Sequence, residues 1–559
     1  MRTRVFLPIA LIVAVFHSAS GDLGAQISAV ALNGMVSSEE EGSMEGVIVT
    51  AKRDTDPAFT VSVVTDDRGH YRFPRTHVGP GRYSLQIRAV GYVLPGPYVV
   101  EVKTATTATA DLKLQKTTNL AAQLTNLEWV MSFPGTREQK DGLVRQAVNC
   151  GFCHSYERIT RSRYTSEQWV AVIRRMSTYN VDHSGSIRAN KNTLASRSET
   201  TSDAPEKWWN IPVKDLAQYL GELNLSGGKT TWPYTLQTLP RPKGRATRII
   251  VTVYDIPRQP SVIHDLDVDS KGNVWYGNTG WDYIGKLEPK TGSFSEWVSP
   301  NFLPAPPAML GVMDVQVDRE DDLWAAVPGP KLARFDTKTE RWTSYDLPHG
   351  RGVLFLAPFR NHLETHWSNG GVYANRLNTR TGKVDAFNLY ENAPPGPHAS
   401  YMIERDSRDN AYVTDFTGSY IVRVDGKTGA VKFYPTPTPN SFPRRGHIDS
   451  NDRFWFGEFW ADNIGMFDTR TEQFQEFPVQ PKYISPYYAR TDKNGDIWVS
   501  TNGSDRLIRF NPATREIVQY LMPVYYDARK VVPDPTTGRV TIWLPNKNTS
   551  QIIRVEALD

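Results

Sequence analysis

Asp449-Ser450-Asn451-Asp452-Arg453-Phe454-Trp455-Phe456-Gly457-Glu458 opens on an aspartate, runs five residues and reaches an aromatic ring. The same interval separates Asp269 from Trp275, Asp318 from Trp324, Asp406 from Tyr412 and Asp492 from Trp498. Trp367 and Trp543 fill the remaining slots with altered lead-ins, so successive aromatics stand 49, 43, 45, 43, 43 and 45 residues apart. A second landmark follows most of them, as in Asn378-Thr379-Arg380-Thr381-Gly382, Asp425-Gly426-Lys427-Thr428-Gly429 and Asp468-Thr469-Arg470-Thr471. These are turn-forming clusters and read as hairpins before an outer strand. Seven units at this period, each with several short strands, predict a seven-bladed β-propeller over 245–559, with an open solenoid as the alternative. The last unit ends at Ile552-Ile553-Arg554-Val555 and lacks an outer strand. Arg248-Ile249-Ile250-Val251-Thr252-Val253-Tyr254 precedes the first unit and supplies one, which would close the ring without a raw sheet edge.

The register of the repeat predicts an axial lining. Two residues before each aspartate stand Asp267, Gln316, Glu404, His447 and Arg490; four before stand Asp265, Asp314, Met402, Arg445 and Tyr488. Acid falls on one arc and base on the other. Such residues either face a polar channel or make satisfied contacts between blades. His447 and Glu458, 11 residues apart, are the candidate catalytic pair if both reach one mouth of the channel: His447 as a base and Glu458 as a metal partner.

Upstream, residues 27–115 read as a small β-sandwich. Apolar and polar residues alternate in Gly46-Val47-Ile48-Val49-Thr50-Ala51 and in Tyr83-Ser84-Leu85-Gln86-Ile87-Arg88, with turns at Asp66-Asp67-Arg68-Gly69 and Pro80-Gly81. This pattern resembles the carboxypeptidase regulatory-like domain family, which implies a module without catalytic residues that serves as a spacer or docking unit.

Residues 116–230 change to helical spacing. Thr165 and Gln168 form a capping box, followed by Trp169, Val172, Ile173 and Met176 at i, i+3, i+4 and i+7. A second helix carries Leu216, Tyr219, Leu220 and Leu223 on one face, and 184–205 reads as a long loop. The chain's only two cysteines lie here, in Cys150-Gly151-Phe152-Cys153-His154. Two thiols at this spacing can add to the vinyl groups along one edge of a haem, and the next His then lies under the iron. The spacing predicts covalent haem c on Cys150 and Cys153 with His154 as proximal ligand; a disulfide is the alternative. A thioredoxin-like centre needs a βαβ context that is missing, and zinc needs a fourth ligand. The segment resembles the cytochrome c family, including a terminal helix near Tyr219-Leu220. The resemblance implies a Met or His as sixth iron ligand: Met176, with His183 as the competitor. Arg174 and Arg175 are candidates to pair with haem propionates.

The repeats resemble the virginiamycin B lyase family, with Phe454-Trp455-Phe456-Gly457-Glu458 nearest its blade phrase and Asn273-Val274-Trp275-Tyr276-Gly277-Asn278 a weaker copy. That implies a possible ring-opening elimination with a His base, acidic partners and Mg²⁺. Arg444 and Arg445 stand where the lyase pattern suggests an acid, and such cations repel Mg²⁺.

The 559 residues carry a net charge of +4 and a pI of about 8.7, too balanced to imply a nucleic-acid or membrane-surface partner. With 40 Gly and 38 Pro the chain is rich in turns. Arg2 and Arg4, the apolar run Val5 to Phe16, and the small residues of Ser18-Ala19-Ser20-Gly21 and Leu23-Gly24-Ala25 predict a signal peptide over 1–25. That apolar run is too short to span a bilayer, which takes about 20 residues, so no integral span is expected in the mature chain. The expected protein is mainly β: a sandwich (27–115), a small all-α cytochrome c-like unit (116–230) and the propeller (245–559). Its expected place is the periplasm or the exterior. Its expected role is electron transfer, with a redox protein or small-molecule substrate as partner. Lyase activity and non-catalytic scaffolding are the alternatives.

Overall fold

The computed structural model describes residues 29–54, 59–145, 150–152, 155–178, 207–208, 211–303, 311–350, 352–359, 364–547 and 549–559. Each repeat becomes one four-stranded antiparallel sheet. The fifth shows the plan: Pro443–Ile448 innermost, then Arg453–Glu458, Asn463–Asp468 and Gln473–Pro478. Seven such sheets follow one another, and their inner strands form a closed ring in which Ile263–Val268 of the first meets Val532–Pro533 of the seventh. This is the arrangement of a β-propeller.

The spacing from aspartate to aromatic has a physical cause. One oxygen of Asp449 accepts the amide N–H groups of Asn451 (2.8 Å) and Arg453 (3.0 Å), which shapes the turn between the first two strands. Its other oxygen accepts the Trp455 indole N–H at 3.0 Å. Asp269, Asp318 and Asp492 bond Trp275, Trp324 and Trp498 in the same way. The second landmark is also a side-chain-built turn: Asp468 accepts the N–H groups of Arg470 and Thr471, and Asn378 those of Arg380 and Thr381.

Ile249–Asp255 pairs with Gln551–Ala557 and completes the seventh sheet. It does not end there. Its other edge pairs with Phe59–Val64 of the N-terminal unit, Thr252 opposite Val61. One continuous eight-stranded sheet therefore runs from the ring's inner wall to Tyr98–Val102 of the sandwich. The unit expected as a spacer or docking module is hydrogen-bonded into the propeller, and the edge left by the closing strand is covered by strand pairing. The sandwich's second sheet is built on Val30–Ser38, which pairs parallel with Leu112–Lys116 and antiparallel with His70–Pro74. Ile250 of the closing strand packs in the sandwich core with Val36, Val49, Val63 and Phe73.

The middle segment is mainly helical where described, with Asn126–Ser132, Arg137–Val144, Tyr156–Thr160, Ser166–Thr178 and Val213–Leu223, but it is not all-α as expected, because Lys207–Trp208 pairs with Ile211–Pro212 as a short antiparallel ribbon. The Thr165/Gln168 capping box is present, with bonds of 3.0 and 3.3 Å. Leu216, Tyr219, Leu220 and Leu223 are all buried. A second capping box, Thr125 with Glu128, starts the first helix. Leu127 of that helix enters the apolar core between the fifth and sixth sheets, beside Trp455 and Ile464. The Leu127 N–H donates to the Gly503 carbonyl at 2.8 Å, and Gly503 takes a φ of 81° that favours glycine. Among the described residues, no helix is long and apolar enough to cross a membrane. The predicted signal peptide and the 184–205 loop lie outside the described residues.

Candidate functional site

The first candidate is the Cys150 to His154 motif, of which Cys150–Phe152 is described. Cys150–Phe152 forms a short 3-10 turn, and Cys150 is half-buried against the core of the helical segment. Asn126, itself buried, clamps the turn on both sides. Its Nδ2 donates to the Gly151 carbonyl (3.1 Å), and its Oδ1 accepts the Tyr156 N–H (2.7 Å). The Tyr525 hydroxyl of the seventh blade donates to the same Gly151 carbonyl at 3.1 Å. Met176, near the end of Ser166–Thr178, is half-buried against the same core as Cys150. Cys153, His154 and His183 lie outside the described residues.

The surroundings suit a haem. Trp129 and Trp169 are buried in this core, and their indole N–H groups find no hydrogen-bond partner among the described residues. Buried donors are costly when unpaired, and haem propionates are acceptors. Burial pushes the Tyr156 phenol far above its usual pKa, with Cys150 adding to the effect. The Cys150 thiol and the Met176 thioether are the sulfur donors described on this core.

The second candidate is the propeller axis. The residues four before each repeat aspartate do form a ring, and the acid and base arcs face each other across it. Arg445 of the fifth blade donates twice to Asp265 of the first, at 2.6 and 2.8 Å, and once to the Arg529 carbonyl at 2.7 Å. Its guanidinium lies 4.4 Å from the centre of the Phe355 ring and 5.0 Å from that of Tyr488. Lys530 of the seventh blade donates to Asp314 of the second at 3.0 Å. All four charged side chains are fully buried. The axis at this level is thus a closed layer of cross-ring ion pairs, because each charge removed from water needs a partner nearby. Burial raises the Asp314 carboxyl above its ordinary range, against the pull of Lys530. One residue earlier in the strand, Arg444 sits among five rings, those of Tyr401, Phe416, Phe442, Phe459 and Tyr487, at 4.6 to 5.5 Å. The Tyr401 and Tyr487 hydroxyls bond each other.

The structure does not bring the predicted catalytic pair together. His447, near the end of the inner strand, pairs with Trp455, and Glu458, at the end of the second strand, pairs with Pro443, so the two stand at opposite ends of this strand pair. His447 keeps a partly exposed side chain, and its Nδ1 stands 3.2 Å from the buried Glu404 carboxylate. Glu458 is fully buried and accepts from Asn463 at 2.9 Å. Burial pushes its carboxyl well above the usual range, and the neighbouring Glu476 pushes it further. Arg445, read from the sequence as a cation that would repel Mg²⁺, is paired with Asp265.

Sequence reasoning missed Lys530, Phe355, Asn126 and Tyr525. Lys530 stands four before Asp534, and Asp534 is the carboxylate that bonds Trp543, at 2.9 Å. Counting back from Asp534 rather than from the aromatic would have found it. Nothing in the repeat marks Asn126 or Tyr525.

Residues 31–115 match the carboxypeptidase regulatory-like domain family, so the N-terminal sandwich carries such a domain. No curated protein matches the chain. Among solved structures, the chain is similar to virginiamycin B lyase from Staphylococcus aureus at 19% identity, over 55% of this chain and 99% of that one, with a TM-score of 0.48. A streptogramin B lyase structure is similar at 19% identity, over 56% of this chain and all of that one (100%), with a TM-score of 0.48. The WD40 repeats of RRP9 are similar at 9% identity, over 55% of this chain and 97% of that one, with a TM-score of 0.44.

Proposed function

We propose that this is an exported c-type haem protein of electron transfer, whose propeller binds the redox partner or substrate. Cys150 and Cys153 would hold the haem through thioethers, and His154 and Met176 would be the ligands of its iron. The observation that carries this reading is the Cys-x-x-Cys-His spacing in a turn whose two flanks, Gly151 and Tyr156, are tied by Asn126 to an apolar helical core. The bound haem would supply one-electron transfer. The chain's own part is to orient the turn through Asn126, exclude water with the Trp129 and Tyr156 core, and offer the Trp129 and Trp169 donors to the propionates. Attachment of such a haem fits a periplasmic or secreted location. The test is an absorption spectrum, oxidised and reduced, of the protein exported from cells that can attach haem c. A low-spin spectrum with a weak band near about 695 nm is expected, and Met176→Ala should abolish that band while keeping the haem. Protein exported without haem overturns the reading; survival of the band in Met176→Ala moves the sixth ligand elsewhere.

A second reading has one observation in its favour. His447 is partly exposed beside the Glu404 carboxylate, a geometry that suits a base held by an acid. Incubation with a cyclic depsipeptide and Mg²⁺ tests a lyase. An intact ring after long incubation leaves the propeller as a binding scaffold.

A further inference from the structure

A cavity of about 390 Å³ lies where the sandwich, the helical segment and the propeller converge, within the size range of small-molecule sites. Its walls come from all three units, so it exists only in the assembled chain. Leu124, Leu239, Leu521 and Pro523 make much of the lining apolar. The polar groups around it can be accounted for one by one. Glu128 accepts from Leu239 N–H and from both the N–H and hydroxyl of Thr125. Asp505 is taken by Arg88 and the Tyr526 N–H. Glu157 holds Arg161, and Gln123 is bonded at both its oxygen and its nitrogen. The Arg241 guanidinium is spent on Glu41 and the Glu45 carbonyl. Arg506 differs. It is 7% exposed, one Nη donates to the Pro240 carbonyl at 3.0 Å, and its Nε–H has no partner among the described residues. The capacity left over in this cavity is therefore a buried donor, and its occupant must bring an acceptor. Burial lowers the Arg506 pKa against the opposing pull of Glu128, and the three arginines that line the cavity, Arg88, Arg241 and Arg506, match its three carboxylates, Glu128, Glu157 and Asp505, which favours an uncharged acceptor over an anion.

We propose that this cavity binds a small, largely apolar carbonyl compound of the quinone or aromatic ketone class, its carbonyl oxygen accepting from Arg506 Nε. The site lies beside the haem-attachment turn, since Ser155 lines it and Tyr525, also lining it, bonds Gly151. The binding claim does not depend on a haem being attached.

The test is calorimetric titration of the full-length protein with three probes: 2-methyl-1,4-naphthoquinone, 2-methylnaphthalene and 2-naphthoate. The quinone is expected to bind, and the hydrocarbon, lacking an acceptor, to bind at least tenfold more weakly. Arg506→Met should erase that preference. Ala122→Trp, at an exposed rim position that leaves Arg506 untouched, should block the quinone by bulk. Equal affinity for quinone and hydrocarbon, or unchanged quinone binding in Ala122→Trp, overturns the proposal. Tighter binding of naphthoate than of quinone overturns the assignment to an uncharged ligand. Repeating the titration on Cys153→Ser separates the two readings, because loss of the haem should leave quinone affinity in place.

Discussion

Trp367 has no repeat aspartate of its own among the described residues and takes its bond from Asp409 of the next blade, at 2.9 Å. Trp543 takes its bond from Asp534, nine residues back rather than six. The invariant of the repeat is thus a buried aromatic donor, an indole N–H or, at Tyr412, a phenol O–H, satisfied by a carboxylate, and spacing is only its commonest outcome. A reading keyed to spacing finds the regular blades and loses the lining of the third and seventh. The same logic sets the worth of Arg445. Arg445→Met leaves Asp265 buried without its main partner, and a loss of about 3–5 kcal/mol is expected. The double substitution Arg445→Met with Asp265→Leu removes both charges and should recover most of it, as read by urea unfolding. A double variant no more stable than the single would show that something other than the ion pair holds the axis. His447 and Arg445 were both legible as axial residues from register. That one keeps some exposure while the other is sealed was not, because burial depends on which residues the opposite blades present.

At the scale of elements, local rules carried far. Thr165/Gln168 and the apolar face of Val213–Leu223 could be read directly, because capping and helical periodicity act within a few residues. The closing strand Ile249–Asp255 was legible too, since its alternation matched a slot left vacant by the seventh repeat. Its second partner was not. Phe59–Val64 lies nearly two hundred residues away in sequence, and a strand's pattern shows which face is apolar, not which neighbour it pairs with. Val61→Pro removes a backbone N–H from a strand paired on both sides and places a ring opposite Thr252 on one side and Ala51 on the other. Amides of Ile250–Tyr254 are then expected to exchange with deuterium at least tenfold faster, while those of the fourth and fifth blades keep their protection. Unchanged exchange at the closing strand would mean that pairing with Gln551–Ala557 alone protects it.

For the whole molecule, the units are joined by more than their linkers. His77 of the sandwich meets Glu556 of the last strand at 2.5 Å, Arg88 meets Asp505 at 2.6 Å, and Arg241 ties the linker to Glu41. Burial by itself would raise the Glu556 carboxyl, but the His77 hydrogen bond and charge, with Arg554, outweigh it and hold the group below its ordinary value of 4.5. A carboxylate depressed in the folded state contributes stability that is complete above that ordinary value and lost as pH falls through the lower, folded one. The thermal midpoint of the wild-type protein should therefore exceed that of Glu556→Gln near neutral pH, and the gap should shrink as the solution is taken into the acid range below about pH 4. A gap independent of pH would remove Glu556 ionisation as its cause. The repeat and its period, the helical faces of the middle segment and the spacing of its cysteines with a histidine are all legible without coordinates, because each is written in short intervals along the chain. Folding added what those intervals do not carry: the sandwich continues the seventh sheet, the axial charges cancel across the ring, His447 and Glu458 stand apart, and three units enclose a cavity beside Arg506. Those depend on pairings between distant residues, whose energies come from burial and partner choice, and no local pattern records them.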